Sequence, residues 1–512
     1  MLLFVVFHLL YASADEFFRF FFCRVFLFFG YTDIGCLMKH GQEEYGMGKY
    51  FGTDGFRGEA GKDLTAIHAY KIGRFLGWYY GKEVARRARA VVGKDTRRSS
   101  YMLEYAIVAG LTASGADAYM LHVTTTPSVS FSVVGEEFDF GIMISASHNP
   151  YTDNGIKVVN GRGEKLDDEM IEKIEEYLDG RKGELGISDT DLPFATGASI
   201  GEIIDYAEGR NRYIGYLISL SRFSFKGFRI GLDSANGSAW MIAKSVFDAL
   251  GAKTYTINAS PNGCNINLDA GSTHIESLCE LVKRERLDVG FAFDGDADRC
   301  IAVDENGAVV TGDHILYLLA VRMKKDGELV NNTVVTTVMS NLGLYRALRE
   351  QGIEYVQTTV GDRYVYENMQ KTKNCIGGEQ SGHIILSKYA TTGDGILTAI
   401  KVMETVIREK LPLSRLASAV EMLPQVTKNV PVADKDAACS RREVKEALSS
   451  LSASLGERGR ILLRKSGTEP LLRVMVEAPT AEECEACAET LAERIREGER
   501  THTDGGGEEW SN

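Results

Sequence analysis

The stretch Ala88-Arg89-Ala90-Val91-Val92-Gly93-Lys94-Asp95-Thr96-Arg97-Arg98 reads as a short apolar strand running into a polar turn. An amphipathic helix pattern follows, turns at Gly115-Ala116 into a second strand, and ends in a Thr-rich loop, Thr124-Thr125-Thr126-Pro127. The same order returns at Phe228-Arg229-Ile230-Gly231-Leu232-Asp233, with its turn at Gly251-Ala252 and a loop at Pro261-Asn262-Gly263. It returns again at Thr333-Val334-Val335-Thr336, with a turn at Gly352-Ile353 and a loop at Thr358-Thr359-Val360-Gly361-Asp362. Strand, helix, glycine turn, strand, three times over, predicts three α/β domains of related topology. Helices between like-spaced strands call for sheets that are at least partly parallel and buried on both faces. Polar loops at the strand ends would then form the functional edge.

From about Leu423 the pattern changes. Strands at Val426 to Val432, Arg460 to Arg464 and Leu472 to Glu477, with helices at Arg442 to Leu451 and Ala481 to Arg496, predict a smaller α+β domain with sheet on one side and helices on the other. The expected divisions are 47–201, 202–306, 307–420 and 421–498, preceded by an extension over 1–46 and followed by a flexible tail over 499–512. Within that tail, Gly505 to Trp510 has the composition of a disordered segment.

Length and composition agree with this division. A chain of 512 residues is too long for one core and suits roughly three or four domains. The net charge of −13 argues against a nucleic-acid or anionic-membrane partner, both of which need a basic face. Nine cysteines without framework spacing fit a reducing compartment, so a cytoplasmic location is expected. Cys484-x-x-Cys487 is the only close pair, and it sits in a helical pattern with no second ligand pair nearby. That favours a structural role over a zinc or redox site.

Two strands end in chemistry. Phe140-Gly141-Ile142-Met143-Ile144 closes on Ser145-Ala146-Ser147-His148-Asn149-Pro150, and Asp153-Asn154-Gly155-Ile156-Lys157 brings back a lysine after a second glycine turn. A hydroxyl, an imidazole and an ammonium within eleven residues of loop concentrate groups for nucleophilic and proton-transfer work. Val289-Gly290-Phe291-Ala292-Phe293 closes on Asp294-Gly295-Asp296-Ala297-Asp298-Arg299. On an extended segment the three alternating aspartates share one face, and clustered carboxylates call for a hard cation such as Mg²⁺. An EF-hand loop would place Glu305 at its twelfth position, but Arg299 stands where that loop needs glycine, and a strand leads in.

Two further loops carry binding groups. Gly377-Gly378-Glu379-Gln380-Ser381-Gly382-His383 sets a carboxylate, an amide and a hydroxyl between glycines, an arrangement suited to sugar hydroxyls. Arg464-Lys465-Ser466-Gly467-Thr468-Glu469-Pro470, with Arg473 beyond, joins cations to small hydroxyl residues, the composition of a phosphate cradle. Gly52-Thr53-Asp54-Gly55-Phe56-Arg57-Gly58 similarly puts Arg57 between glycines.

Taken together and in this order, the loops from Met47 to about Arg496 resemble those of the α-D-phosphohexomutase family. The resemblance implies three similar α/β domains with mixed sheets plus a smaller C-terminal α+β domain, arranged around a central cleft. It implies a phosphorylated serine at Ser147, and one Mg²⁺ per subunit held by Ser147, Asp294, Asp296 and Asp298. The catalytic set becomes Ser147, His148, Lys157, Arg57 and Arg299. Sugar contacts fall to Glu379, Ser381 and His383, and the substrate phosphate to Arg464, Ser466, Gly467, Thr468 and Arg473. The four domains become, in order, those of the phosphoserine loop, the Mg²⁺ site, sugar recognition and phosphate binding.

Within the family, Asn265-Ile266-Asn267, Gly271-Ser272-Thr273-His274 and Thr391-Thr392-Gly393-Asp394-Gly395 resemble the branch acting on glucosamine phosphates. Ala270 stands where that branch often has cysteine, and the N-terminal extension has no counterpart. The implied reaction interconverts glucosamine 6-phosphate and glucosamine 1-phosphate through a bisphosphate, supplying amino-sugar nucleotide and cell-wall precursor synthesis. The alternatives are a sister mutase for glucose or mannose phosphates and a Mg²⁺-dependent sugar phosphatase. Expected partners are small sugar phosphates, with no nucleic acid and no membrane, and a homodimer is left open.

The first 46 residues stand apart. Met1 to Gly30 is rich in Phe and Leu but is interrupted by Asp15, Glu16, Arg19 and Arg24. Those charges break the roughly 20-residue apolar span that a membrane helix needs, and there is no basic start, although Ala12-Ser13-Ala14 resembles a signal-peptidase site. A mistranslated upstream extension that the native protein lacks, a signal or anchor, and a folded appendage are the competing readings. The first is favoured because Met47-Gly48-Lys49-Tyr50 makes an ordinary globular start. A protein beginning at Met47 is therefore expected to be at least as soluble and active as the whole chain. Loss of folding or activity in that truncation would make the segment a structural element.

Overall fold

The computed structural model describes residues 49–84, 86–181, 192–466 and 469–504. The expectations for residues 1–46, for Gly467 and Thr468, and for Gly505 to Trp510 lie outside these residues. The first sheet holds seven strands: β1 (Phe51–Gly52), β2 (Gly55–Glu59), β3 (Arg89–Lys94), β4 (Asp117–Val123), β5 (Phe140–Ile144), β6 (Asp153–Asn160) and β7 (Ile203–Asp205). They lie side by side in the order β1-β2-β6-β5-β3-β4-β7. The second sheet holds β8 (Arg229–Asp233), β9 (Lys253–Ile257), β10 (Val289–Phe293), β11 (Cys300–Asp304) and β12 (Val309–Val310), in the order β12-β11-β10-β8-β9. The third holds β13 (Thr333–Thr337), β14 (Glu354–Thr358), β15 (Ile376–Gly378) and β16 (Ile384–Leu386), in the order β14-β13-β15-β16.

One motif underlies all three. A central strand (β3, β8 or β13) has a parallel neighbour on each side. The second of those neighbours (β5, β10 or β15) then turns into an antiparallel hairpin partner (β6, β11 or β16). The sheets are thus mixed, and partly parallel as the repeat predicted. The glycine of each helix-to-strand turn has a left-handed backbone: φ is +84° at Gly115, +95° at Gly251 and +58° at Gly352. A side chain there would be strained, which is why the repeat is punctuated by glycine. The central strands are buried because helices cover both faces; β5 and β10 are buried along their whole lengths.

Apolar packing joins the second and third domains. One cluster runs from Phe247 and Phe291 under the second sheet, through Ile315 and Leu319, to Leu344, Ile400 and Met403 in the third. The helix Gly395–Glu409 belongs to this seam, and Asp394 caps its start by accepting from Leu397 N at 2.9 Å. The first domain keeps its own core around Phe75, Ile107 and Ile142.

The C-terminal domain is a three-stranded antiparallel sheet of β17 (Gln425–Pro431), β18 (Arg460–Lys465) and β19 (Leu471–Glu477), in the order β17-β19-β18. Its core includes Cys484 and Cys487, both buried among Val474, Val476 and Leu491, so the pair packs and does not ligate. The last helix runs Ala481–Asp504, past the predicted end at Arg496 and into the segment expected to be a tail. Glu499 explains the extra length, since it accepts from Ala433 N at 2.8 Å and from Arg441 Nη2 at 2.6 Å.

The hairpin turns β5–β6 and β10–β11 meet across the boundary between the first two domains. A Cβ added at Gly295 would lie 2.5 Å from the carbonyl oxygen of Ser147, so only glycine permits the approach. Gly295→Ala is expected to lower the unfolding free energy by about 1–3 kcal/mol, read from urea denaturation followed by circular dichroism. An unchanged midpoint would show the two hairpins free to part.

Candidate active site

Ser147 lies in the turn after β5 with φ +52°, a conformation that non-glycine residues adopt at a cost. Surrounding bonds hold it there. Ser147 N donates to Ser145 Oγ at 3.0 Å, and the Ser147 carbonyl accepts from Arg97 Nη2 at 2.9 Å and Asn267 Nδ2 at 2.8 Å. The same two side chains also reach the carbonyl of Asn149. Arg97 is fully buried and paired with Asp95 at 2.8 Å. The Ser147 hydroxyl, 1% exposed, donates to Asp294 Oδ2 at 2.5 Å, and His148 Nδ1 lies 3.5 Å away.

Asp294, Asp296 and Asp298 are all buried and bring one carboxylate oxygen each within 4.8 Å of one another. They do so from a turn with a left-handed residue at Ala297 (φ +58°), not from the extended segment that alternation suggested. The turn is forced because β10 must reverse into β11, pairing Phe293 with Cys300. Glu305, the would-be EF-hand ligand, lies beyond β11 and accepts from Ser414 instead.

Lys157 also differs from its expected setting. It sits on strand β6, opposite Met143, and not in a loop. The strand carries its ammonium to 2.8 Å from Asp296, 3.0 Å from Asp54 and 3.3 Å from Asp298. Thr126 closes the other side, donating Oγ1 to Asp296 Oδ2 at 2.5 Å and its N–H to the Asp296 carbonyl at 3.0 Å.

Charge follows from this packing. Burial opposes the Lys157 ammonium, but Asp296, Asp54 and Asp298 hold its pKa well above the ordinary lysine range. Burial, reinforced by Asp298 and Asp296, pushes the Asp294 carboxyl well above the usual range. Burial, with Arg299 and Arg57 nearby, lowers His148 to about 4, which keeps its imidazole neutral at neutral pH. Oδ1 of Asp296 and Oδ1 of Asp298 are buried without a hydrogen-bond partner. Crowded carboxylates with unsatisfied oxygens fit a hard divalent cation.

A cavity of about 460 Å³ adjoins this cluster. Its walls bring together Arg57, Asp298, Arg299, Glu379 and His383, while Ser147 and Lys157 do not line it. Glu379 and His383 come from the β15–β16 hairpin, the topological equivalent of the hairpins that carry Ser147 and the aspartates. Ser381, in the same hairpin, keeps a buried hydroxyl oxygen without a partner. Arg464, Ser466 and Arg473 lie on a fourth hairpin, β18–β19, and do not line the cavity. Arg464 and Arg473 face each other across the strands. Burial and Arg473 depress the Arg464 pKa, and among the described residues Arg464 has no ion-pair partner, whereas Arg473 meets Glu469 at 3.1 Å.

The sequence matches four domain families in chain order. Phosphoglucomutase/phosphomannomutase alpha/beta/alpha domain I covers residues 48–183, domain II 211–307, domain III 311–423, and the C-terminal domain 428–494. The chain belongs to the phosphohexomutase family. Among curated relatives of this phosphohexomutase, the phosphoglucosamine mutase of Lachnospira eligens is 61% identical over 88% of the chain and 99% of the relative. That of Geobacillus thermodenitrificans is 48% identical over the same shares. Among solved structures, a phosphoglucomutase/phosphomannomutase family protein from Burkholderia thailandensis superposes with a TM-score of 0.70 at 22% identity, covering 87% of this chain and 97% of that one. Aspergillus fumigatus N-acetylphosphoglucosamine mutase, in complex with GlcNAc-6P and magnesium, gives 0.64 at 18%, covering 88% and 96%. At these identities the two structures speak for the fold.

Several members of this phosphohexomutase site escaped the motif reading. Asp54 and Asp362 lay in loops quoted for other reasons, while Arg97, Thr126, Lys165 and Asn267 were not singled out for a role. Their signal was only that they occupy polar loops at strand ends, the edge that the repeat marked. Among the described residues no helix is long and apolar enough to cross a membrane. Asp296→Asn removes one carboxylate charge from the cluster and is expected to weaken Mg²⁺ binding by about 10–100-fold or more, measured by isothermal titration calorimetry on the unphosphorylated protein. Equal affinity in both proteins would move the cation elsewhere.

Proposed function

We propose that the protein is a phosphoglucosamine mutase, interconverting glucosamine 6-phosphate and glucosamine 1-phosphate through a phosphoserine at residue 147. The observation that carries the phosphoryl-transfer reading is the Ser147 hydroxyl 2.5 Å from Asp294, inside a cluster of three carboxylates. The choice of glucosamine rests on relatives of that name at 47–61% identity. Asp294, Asp296 and Asp298, with Ser147, would hold one Mg²⁺, which when bound offsets negative charge on the transferring group.

The chain's own groups account for the rest of the cycle. In the forward half, the sugar C1 hydroxyl oxygen bonds to phosphorus as the bond from phosphorus to Ser147 Oγ breaks, giving the 1,6-bisphosphate. The hydroxyl proton leaves to a protein base, and the freed serine oxygen regains a proton. His148, neutral and 3.5 Å from Ser147 Oγ, is the candidate base, and Lys157, held as a cation beside Asp296 and Asp298, is the candidate proton donor. The bisphosphate then reorients, and Ser147 Oγ takes the 6-phosphoryl group, leaving glucosamine 1-phosphate. The separate basic loop around Arg464 favours a mutase over a phosphatase, because a hydrolase has no need to keep a bisphosphate.

Each domain has its part in this reading: 47–201 the phosphoserine loop, 202–306 the metal carboxylates, 307–420 sugar recognition through Glu379, Ser381 and His383, and 421–498 the distal phosphate. Arg57 and Arg299 line the cavity beside Asp298 and supply positive charge to the reacting phosphoryl group. Arg464 and Arg473, with Ser466, Gly467 and Thr468, would take the phosphate that is not reacting. This site must accept the 6-phosphate and the 1-phosphate in turn, so it stands apart from Ser147. The supply of amino-sugar nucleotide and cell-wall precursors in the cytoplasm is the expected setting.

A coupled assay of the purified protein on glucosamine, glucose and mannose phosphates tests the specificity. The expected result is the highest kcat/KM with glucosamine phosphate. Faster turnover of another hexose phosphate, or release of inorganic phosphate, would overturn it. Arg464→Ala removes charge-assisted bonds worth about 1.5–3 kcal/mol, so KM should rise about tenfold or more with a much smaller change in kcat. An unaltered KM would show that Arg464 does not hold the distal phosphate.

A further inference from the structure

Six ionisable groups close a ring beside the cleft, acid alternating with base. Lys157 Nζ is 3.0 Å from Asp54 Oδ2, and Asp54 Oδ1 is 2.6 Å from Lys165 Nζ. Lys165 Nζ is 2.7 Å from Asp362 Oδ2, which lies 3.3 Å from His383 Nε2. His383 Nδ1 is 3.7 Å from Asp298 Oδ1, and Asp298 Oδ2 returns to Lys157 at 3.3 Å. The ring threads the first domain, the third and the second, so it ties together all three hairpin-bearing sheets.

Lys165 has a particular place in it. It does not line the cavity of about 460 Å³ that Asp54, Asp362, His383 and Asp298 share. It lines a neighbouring cavity of about 310 Å³ between the first and third domains. Its ammonium spans both oxygens of Asp362, at 2.9 and 2.7 Å, while holding the Asp54 oxygen that Lys157 leaves free. A carboxylate gripped at each oxygen by a different lysine cannot rotate without breaking a bond. The segment around Lys165 is itself fastened to the third domain: Thr391 Oγ1 donates to the Gly163 carbonyl at 2.7 Å, and Tyr366 Oη to Glu164 at 3.2 Å.

We propose that Lys165 is a positioning residue for phosphoryl transfer: by locking Asp54 and Asp362 it fixes Lys157 and His383, and with them the first domain's register on the third. The proposal rests on the mutase reading. Without Lys165, Asp54 keeps Lys157 and Arg57 only, and Asp362 keeps His383 only. Lys157 is then free to shift toward the aspartate cluster, away from the position the reacting group requires. A displacement of this kind, remote from the bond being made, costs about 100-fold in rate.

The test compares wild type, Lys165→Met, Lys165→Arg, Asp54→Asn and the Lys165→Met/Asp54→Asn double variant in the coupled mutase assay, with melting curves for each. Lys165→Met is expected to lose about 100-fold in kcat with little change in KM, and Lys165→Arg to recover part of that loss. Because Lys165 acts through Asp54, the double variant should lose far less than the product of the two single losses. Should Lys165→Met fail to fold, Asp54→Asn cuts the same ring from its other side and should show the same split between kcat and KM. Unchanged kcat, a loss no larger than the loss of folded protein, or multiplicative losses in the double variant would overturn the proposal. Wild-type protein active on glucose phosphate alone would refute the glucosamine reading and leave the Lys165 comparison to be run on that substrate. Wild-type protein without mutase activity on any hexose phosphate would overturn both.

Discussion

Three carboxylates from Asp294, Asp296 and Asp298 stand within one small volume that water hardly reaches. Such a cluster persists only where donors and cations meet it, because a buried charge without a partner costs several kcal/mol. Most of these partners come from the first domain: the Ser147 hydroxyl, the Thr126 hydroxyl and the Lys157 ammonium belong to the first sheet and its loops, while Arg299 N–H meets Asp294 from within the second. Electrostatic necessity therefore fixes the seam between the first two domains, and the seam in turn sets the Ser147 hydroxyl against the three carboxylates. Gly295 adds the steric condition, since any side chain there would push the Ser147 carbonyl away.

The repeated topology explains why the reactive groups converge. In each of the three α/β domains the strand beside the central one reverses into an antiparallel hairpin. Those hairpins hold Ser147, the three aspartates and Glu379-Gln380-Ser381-Gly382-His383 respectively. One local solution is used three times with different side chains: a serine hydroxyl in the first, three carboxylates in the second and a Glu-Ser-His set in the third, to which the proposed function assigns the nucleophile, the metal ligands and the sugar contacts. The continuous apolar core under the second and third sheets keeps their hairpins in a fixed relation. The first domain, with a core of its own, is joined to them by Phe131 packing on Tyr213 and Tyr216 and by polar contacts, the charged ring among them.

Much of this was legible in the sequence. Phe140–Ile144 and Val289–Phe293 are strands from end to end, as their apolar runs bounded by polar turns required. The glycine turns at 115, 251 and 352 marked the repeat because only glycine is comfortable at their backbone angles. Lys157 was read as a loop residue since Gly155 looked like a turn, yet β6 tolerates that glycine beside β5 and extends through it. The convergence of the aspartates was anticipated, but its cause is a tight reversal and not strand alternation. Arg97 and Asn267 reach the Ser147 carbonyl from 50 and 120 positions away, and Lys165 meets Asp362 across 197, and no local pattern encodes such pairings.

The measurement that bears most directly on this account follows labelled phosphate from glucosamine 1,6-bisphosphate onto the protein. Peptide mapping should place one label on Ser147, absent from Ser147→Ala, and unlabelled glucosamine 6-phosphate should chase it from the protein into the sugar phosphates. Label on another residue, or its loss as inorganic phosphate when the monophosphate is added, would contradict the assignment of Ser147 as the group that carries phosphate between the two positions of the sugar.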